Sequence, residues 1–356
     1  MSEWEKNVRR VIPYVPGEQP ADVNVIKLNT NENPYPPAPA VCEAVKKFDT
    51  SVLRKYPAPD AKRLVAALSD AFEIPEDQIF VGVGSDDVLA MSFLTFFNGK
   101  KPVLMADVTY SFYDVWAELF RIPYESIPLN GDFRYELSDY LRPNGGVVIA
   151  NPNAPTALVE PKEFFEELLE KNPSSVVIVD EAYGDFYGWS AKGLLDRYEN
   201  LLVVGTFSKS RSLAGSRIGF AFGSRKLISY LNDVKFSFNS YTMDAITLAV
   251  GEAALSPRSR EYYHTMTEMI IATRESAKKR LAGLGFTCTD SRANFVFATH
   301  SVIPAKEIFE KLKEHKIYVR YFDKPRIDNY LRITIGTDDE MTELYKALEE
   351  IGCRQS

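Results

Sequence analysis

Four residues near the middle of the chain carry side chains that can do chemistry: Asp180, Tyr183, Lys209 and Arg217. A carboxylate can pair with a cation, a phenol can donate a hydrogen bond, an amine can bond covalently to a carbonyl carbon, and a guanidinium can bind phosphate. Any one of them alone is commonly an ordinary surface or core residue. The prediction that follows therefore depends on their combination and on their order along the chain.

The first two of these residues, together with Tyr110, can hold a cationic aromatic ring. Asp180 follows the apolar run 176–179, and a carboxylate at the end of a buried strand needs a cationic partner. Tyr183 lies three residues further on, and Tyr110, which follows the run 103–106, could stack on the ring. The alternatives are a turn cap for Asp180 and a packed core residue for Tyr183.

The lysine and the arginine complete a site for one particular cofactor. Lys209 follows the apolar run 201–204 and stands beside the hydroxyls of Thr206 and Ser208, with Arg217 just beyond. A lysine in such a position can form a Schiff base, while the guanidinium and the hydroxyls bind a phosphate. Taken alone, Lys209 could be a solvated surface residue. The joint pattern predicts a binding site for pyridoxal 5′-phosphate, which serves enzymes as an electron sink.

A second anion-binding element precedes these residues. The sequence Gly82-Val83-Gly84-Ser85-Asp86 follows a predicted strand and opens a predicted helix that runs to Phe97. A helix N-terminus offers free N–H groups and the positive end of the helix dipole. A dinucleotide-binding motif would need a third glycine, and a P-loop would need a Gly-Lys pair, so neither fits. A plain strand-to-helix turn is the alternative.

The elements that position these residues form a predicted α/β fold. Short apolar runs alternate with helical patterns, which predicts a mainly parallel sheet covered by helices on both faces, with ligands at the carboxyl ends of its strands. The predicted strands are 79–83, 103–106, 147–150, 176–179, 201–204 and 218–222. We expect an N-terminal arm over residues 1–40, a large cofactor-binding domain over 41–256 and a small α+β domain over 257–356.

Composition narrows the function classes further. A net charge of -7 argues against nucleic acid as a partner, because phosphate backbones are bound by clustered Lys and Arg. The chain has no uninterrupted apolar run that could span a bilayer and no signal-peptide pattern at Met1, so we expect no membrane association and a cytoplasmic location. The three widely spaced cysteines predict neither a disulfide framework nor a metal cluster.

Several longer motifs resemble one family over nearly the whole chain. They are Pro13-Tyr14-Val15-Pro16-Gly17, Leu28-Asn29-Thr30-Asn31-Glu32-Asn33-Pro34, Tyr56-Pro57, Gly84-Ser85-Asp86, Asn151-Pro152-Asn153 and Asn329-Tyr330-Leu331-Arg332-Ile333-Thr334. This set is similar to the histidinol-phosphate aminotransferases, which are fold type I pyridoxal-phosphate enzymes. The lysine motif is shared by many relatives of that family and therefore supports the chemistry more than the substrate.

The resemblance implies a role for each residue of the site. Lys209 would bond covalently to the cofactor, Asp180 would pair with its ring nitrogen, and Tyr183 would donate to its 3′ oxygen. The cofactor phosphate would be bound by Gly84, Ser85, Thr206, Ser208 and Arg217, and Asp86 and Tyr110 belong to the same cofactor-binding set. Tyr56 would reach this phosphate from a second subunit, which implies a homodimer with shared sites.

One position departs from the family pattern. The family loop Asn-Asn-Pro-Thr-Gly reads Asn153-Ala154-Pro155-Thr156-Ala157 here, so the amide that normally donates to the 3′ oxygen is missing at Ala154. We expect either that Asn153 replaces this amide or that Tyr183 acts alone. Losing one donor should cost about 1 kcal/mol of stabilisation of the ring oxygen.

The substrate side is predicted from two arginines on short strands. Arg320 and Arg332 could aim their guanidiniums at one phosphate, although ion pairs with Asp or Glu residues at the surface are the alternative. The resemblance implies transfer of the amino group of L-histidinol phosphate to 2-oxoglutarate, a step of histidine biosynthesis, and Tyr14 and Asn33 are the candidates for contacting the imidazole. Three other readings stay open: an aromatic amino-acid aminotransferase, a threonine-phosphate decarboxylase and a non-catalytic ligand-binding protein.

Overall fold

A computed structural model describes residues 2–22 and 24–354, and its largest element is a seven-stranded sheet. The strands are β2 (Ile79–Val83), β3 (Val103–Ala106), β4 (Tyr124–Ile127), β5 (Gly146–Ala150), β6 (Val177–Asp180), β7 (Leu201–Thr206) and β8 (Ile218–Gly223). Their order is β2-β8-β7-β6-β5-β3-β4, and β8 alone runs antiparallel to its neighbours. The predicted mainly parallel sheet is therefore confirmed.

The central strands are buried on both faces, which is why their sequences are continuous apolar runs. Every residue of β5, β6 and β7 is buried. Val177 and Val179 pack into one hydrophobic core, whereas Ile178, which points to the opposite face, packs into another. The helices that cover the two faces are α1 (Pro39–Lys46), α2 (Lys62–Phe72), α3 (Gly84–Phe96), α4 (Tyr113–Phe120), α5 (Lys162–Lys171), α6 (Arg225–Phe238) and α7 (Ala245–Ala254).

The strand β4 is absent from the predicted set for a physical reason. It lies at the edge of the sheet, and its residues Glu125 and Ser126 are exposed. An exposed edge strand needs no apolar run and is favoured by charged residues that discourage further pairing. Its sequence, Tyr-Glu-Ser-Ile, therefore carries no signal of the kind that identified the central strands.

A smaller antiparallel sheet follows the long helix α8 (Pro257–Gly283). Its strands lie in the order β12 (Arg320–Tyr321), β13 (Leu331–Thr334), β10 (Phe295–His300) and β9 (Phe286–Cys288). The helices α9 (Ala305–Glu314) and α10 (Asp338–Ile351) belong to the same region and share its hydrophobic core. Their arrangement confirms the predicted smaller α+β part, while the boundaries at 40 and 256 stay a prediction.

The segment before α1 is attached to the small sheet. The two-residue strand β1 (Ile26–Lys27) pairs in parallel with β11 (Ile317–Tyr318). The backbone N–H of Leu28 donates to Tyr318, and the backbone N–H of Thr334 donates to Leu28. These bonds attach residues 26–28 to the region of the small sheet. None of the helices in the described ranges is both long and apolar enough to cross a membrane.

Candidate active site

A cavity of about 430 Å³ lies at the carboxyl ends of β6 and β7. This is the edge where a sheet of this type presents ligands. Twelve of the residues predicted from the sequence line it: Tyr14, Ser85, Asp86, Tyr110, Asp180, Tyr183, Thr206, Ser208, Lys209, Arg217, Arg320 and Arg332. The fold thus brings together residues that are far apart along the chain.

Asp180 lies at the floor of the cavity with only neutral donors around its carboxylate. Tyr113 donates from its hydroxyl at 2.6 Å, and the backbone N–H of Ala182 donates at 3.0 Å. Burial raises the pKa of Asp180 to about 6, although both hydrogen bonds act to lower it. A cationic ring nitrogen next to this carboxylate would supply the missing counter-charge. Tyr113 was not predicted, because nothing in its local sequence marks it as a partner of a residue on another strand.

The anion-binding end of the cavity is built from the start of α3 and from the turn after β7. Gly84 has φ of +82°, and a Cβ added there would lie 2.5 Å from the Arg217 Nη2 atom, so glycine lets the guanidinium approach the helix N-terminus. The hydroxyls of Thr206 and Ser208 lie 3.0 Å apart at the end of β7. Asp86 accepts from Arg217 at 3.1 Å and from the Tyr110 hydroxyl at 2.9 Å, which fixes both side chains.

Lys209 reaches into the cavity from the loop after β7. Its Nζ atom donates to the backbone carbonyl of Thr30 at 3.2 Å and lies 5.6 Å from the ring centre of Tyr183. Asn33 holds this loop, because its amide nitrogen donates to the carbonyls of Lys209 at 3.0 Å and of Ser210 at 3.2 Å. Asn33 is not among the lining residues. Its amide is used to position the lysine loop, and its expected contact with the imidazole stays a prediction.

The hydrogen bonds around Tyr183 bear on the amide that is missing at Ala154. The amide nitrogen of Asn153 donates to the Val108 carbonyl at 2.9 Å and to the Thr156 hydroxyl at 3.0 Å, so both of its hydrogens are used within the protein. In this conformation Asn153 does not replace the amide missing at Ala154. The Tyr183 hydroxyl instead accepts from the amide nitrogen of Asn31 at 2.8 Å. Asn31 belongs to the Asn-Glu-Asn-Pro motif but received no role from the sequence.

Arg320 and Arg332 face each other across the strands β12 and β13. Neither has a carboxylate within 4.0 Å in the described ranges, which argues against the surface ion-pair alternative. Arg332 donates to the Asn29 carbonyl at 2.8 Å, and its Nε atom is buried with no partner among the described residues. Burial lowers the pKa of Arg332, and the nearby charge of Arg320 also lowers it. Two like charges placed directly opposite each other are unfavourable until an anion binds between them.

The N-terminal arm covers the substrate end of the cavity. Tyr14 stacks on Phe112 with ring centres 4.3 Å apart, and it also lines the cavity. Arg320 donates to the backbone carbonyls of Val15 at 3.3 Å and Pro16 at 3.5 Å. Since Arg332 is the cross-strand neighbour of Arg320, the arm and both guanidiniums line one part of the cavity.

Tyr56 lies outside the cavity of its own chain. It is 82% exposed and packs against Tyr241 with ring centres 4.7 Å apart. The expectation that it reaches the site of a second subunit stays a prediction.

A buried carboxylate, a lysine and a helix N-terminus at the carboxyl edge of a parallel sheet define the site of a fold type I pyridoxal-phosphate-dependent enzyme. The residues present fit this cofactor, because Asp180 lacks a cationic partner and Gly84, Ser85 and Arg217 form an anion cradle. A family model for class I and II aminotransferases matches residues 23–348.

Comparison with individual relatives identifies the family within this class of aminotransferases. The histidinol-phosphate aminotransferase of Lactococcus lactis subsp. lactis is 50% identical over 97% of this chain and 96% of its own length. That of Clostridium acetobutylicum is also 50% identical, over 98% of each chain. Among solved structures, the histidinol-phosphate aminotransferase of Sinorhizobium meliloti in complex with pyridoxal-5′-phosphate has a TM-score of 0.84 at 24% identity, covering 92% of this chain and 90% of that one. The chain therefore belongs to the class I and II aminotransferases and, within them, to the histidinol-phosphate aminotransferase family.

Replacing Tyr113 with phenylalanine is expected to weaken cofactor binding to the apoprotein increasingly as the pH falls. Without the hydroxyl donor the pKa of Asp180 should rise above its value of about 6, so the carboxylate becomes neutral at a higher pH. Below about pH 6, the dissociation constant of the variant divided by that of the unmodified protein should approach roughly 10-fold for each unit by which the pKa of Asp180 has risen. Fluorescence titration of both apoproteins with pyridoxal phosphate between about pH 5.5 and 8 measures this ratio.

The phosphate of the cofactor titrates equally in both experiments, so its effect on binding cancels in the ratio of the two dissociation constants. Tyr124→Phe is a matched control, since Tyr124 donates to Glu118 on the exposed edge of the sheet and away from the cavity. A ratio that does not change with pH would show that Tyr113 does not control the charge of Asp180.

Proposed function

We propose that this aminotransferase moves the amino group of L-histidinol phosphate to 2-oxoglutarate, acting as a homodimer in the cytoplasm. The observation that carries the choice of substrate is the pair Arg320 and Arg332, which face the cavity without a carboxylate partner in the described chain. The names of relatives with about 50% identity support the same choice.

A phosphate monoester suits this pair better than a single carboxylate does. The phosphate carries more than one negative charge near neutral pH, and guanidiniums bind its oxygens through two parallel hydrogen bonds. The buried Nε atom of Arg332 has a free donor for such a group. The distal carboxylate of 2-oxoglutarate can occupy the same place in the second half of the reaction. Tyr14, which is stacked on Phe112, then lies where an imidazole ring can pack.

The remaining residues hold the reacting atoms and move a proton. When bound, pyridoxal phosphate supplies an electron sink for the charge left on the substrate α-carbon. Lys209 is the general base that takes the proton from this carbon, because its amine is the basic group inside the cavity. Asp180 would pair with the ring nitrogen, Tyr183 would donate to the 3′ oxygen, and Arg217 with Ser208 would hold the phosphate.

A spectroscopic half-reaction tests the proposal. Adding histidinol phosphate to the purified, cofactor-loaded protein is expected to convert the absorbance of the lysine-bound cofactor to that of its amine form, and 2-oxoglutarate should restore the first spectrum. The efficiency kcat/KM should be roughly 100-fold or more higher for histidinol phosphate than for phenylalanine, since phenylalanine leaves the two arginines without a phosphate. Equal efficiency would favour an aromatic amino-acid aminotransferase, and release of carbon dioxide from threonine phosphate would favour a decarboxylase.

The dimer is proposed from Tyr56 and its surroundings. Tyr56 is exposed, and the nearby sequence also exposes Val52 and Leu53, while Tyr241 packs against Tyr56. An aromatic residue with this exposure can reach the phosphate end of a second subunit. Sedimentation of the loaded protein should give twice the chain mass. A monomer with full activity would contradict the shared site.

A further inference from the structure

We propose that Asn31 is a positioning residue for the cofactor ring, and that it supplies through Tyr183 the amide support that position 154 lacks. This inference rests on the proposed function of Tyr183 as the donor to the 3′ oxygen of pyridoxal phosphate. Ala154 lines the cavity but carries no donor, and the Asn153 amide is occupied by Val108 and Thr156. Asn31 is the amide that contacts the tyrosine in the described structure.

The contact determines where the hydroxyl hydrogen of Tyr183 can point. Asn31 is 1% exposed, and its amide nitrogen donates to the Tyr183 oxygen at 2.8 Å. A phenol has one hydrogen, and a phenol oxygen that accepts from one side directs that hydrogen elsewhere. No described residue accepts it, and Tyr183 lines the cavity, so the hydrogen is left for a ligand atom there. Accepting one hydrogen bond also makes the hydroxyl a stronger donor in the next.

The orientation of the Asn31 amide is set by its other contacts. The backbone N–H of Asn31 donates to the Thr334 hydroxyl at 3.0 Å, and this hydroxyl donates to the Asn31 side-chain oxygen at 3.1 Å. The oxygen end of the amide thus faces Thr334, and the nitrogen end faces Tyr183. Asn294 holds the Asn31 carbonyl at 3.0 Å. Asn31 has φ of +56°, a conformation that asparagine tolerates better than most residues.

The strand that carries Thr334 also carries Arg332, two residues earlier and on the same face of β13. One short strand therefore supports both ends of the cavity: the guanidinium at the substrate end and, through Asn31, the phenol at the cofactor end. Asn31 links this strand to Tyr183, because it contacts both Thr334 and the Tyr183 hydroxyl.

The test is a spectral pH titration of the lysine-bound cofactor, which reports how well the ring oxygen is stabilised. Asn31→Gly removes the amide and keeps the left-handed backbone without strain. We expect its titration midpoint to lie roughly 0.5–1 pH unit above that of the unmodified protein, as the loss of one supporting hydrogen bond implies. Ala154→Asn should lower the midpoint in the unmodified protein and should restore most of the loss in Asn31→Gly.

Two further variants separate the outcomes. Tyr183→Phe is expected to raise the midpoint by more than Asn31→Gly does, and Thr334→Val, which keeps the side-chain shape but frees the Asn31 amide to turn, should raise it by less. If Tyr183→Phe raises the midpoint while Asn31→Gly and Thr334→Val do not, the inference about Asn31 is wrong and the role of Tyr183 stands. If none of the three shifts it, the proposed role of Tyr183 fails as well. Unfolding temperature and bound cofactor content show that each variant is folded.

Discussion

Replacing Lys209 with alanine is expected to lower kcat by at least about 1,000-fold, since a positioned general base and a covalent attachment are lost together. The cofactor should nevertheless stay bound without a covalent bond, because its phosphate site and Asp180 do not depend on the lysine. Arg217, Ser208 and the start of α3, which lie close together in the structure, form the proposed phosphate site. Turnover with histidinol phosphate and 2-oxoglutarate, and cofactor content after dialysis, measure the two effects.

Lys192→Ala is the matched control for this variant. Lys192 donates to the Phe72 carbonyl at 3.1 Å and lies outside the cavity, so its loss should leave turnover unchanged. Borohydride reduction followed by peptide mapping should place the cofactor on Lys209 in the unmodified protein. Full activity in the Lys209→Ala variant would exclude the assigned chemistry.

Replacing Arg332 with alanine is expected to lower kcat/KM for histidinol phosphate by roughly 100- to 1,000-fold, in line with removing one side of a buried charge-assisted contact. Lysine at this position should recover only part of the loss, because an ammonium lacks the planar pair of donors that matches a phosphate. The reaction with 2-oxoglutarate should also slow, since we propose that its distal carboxylate uses the same guanidinium. Measuring the two half-reactions separately, by single-turnover absorbance, checks both expectations.

Arg326→Ala serves as the control for charge removal in the same region. Arg326 binds Asp107 at 2.6 Å and the carbonyls of Leu129 and Asn130, and it does not line the cavity. If Arg332→Ala leaves KM and kcat for histidinol phosphate unchanged, the phosphate of the substrate must bind elsewhere and the proposed substrate is called into question.

The sequence predicts best what local patterns determine. Strands buried on both faces must be apolar throughout, so β6 and β7 were visible as runs, and the polar residues Asp180 and Thr206 at their ends could be placed at the carboxyl edge of the sheet. Lys209 followed from the same reasoning, because it stands just after the end of β7. The fold class and the presence of a cofactor site thus needed no knowledge of distant contacts.

What the sequence did not predict depends on contacts between distant segments. Tyr113 meets Asp180 only because β3 and β6 both flank β5, and Asn31 meets Tyr183 only because the arm runs along the small sheet. The partners that the Asn33 and Asn153 amides have in the structure could not be predicted for a related reason. An amide can bond to a backbone carbonyl as well as to a ligand, and which partner it has is decided by packing that periodicity does not record.

The attachment of residues 26–31 to the small sheet has a consequence for engineering the enzyme. β1 is hydrogen-bonded to β11, Leu28 to Thr334, and Asn33 to the loop of Lys209. A shortened version that starts at α1 would lose more than a peripheral segment. It would lose Tyr14 from the cavity, the Asn31 amide that contacts Tyr183, and the Asn33 amide that holds the Lys209 loop. Attempts to shorten the enzyme should therefore remove residues elsewhere.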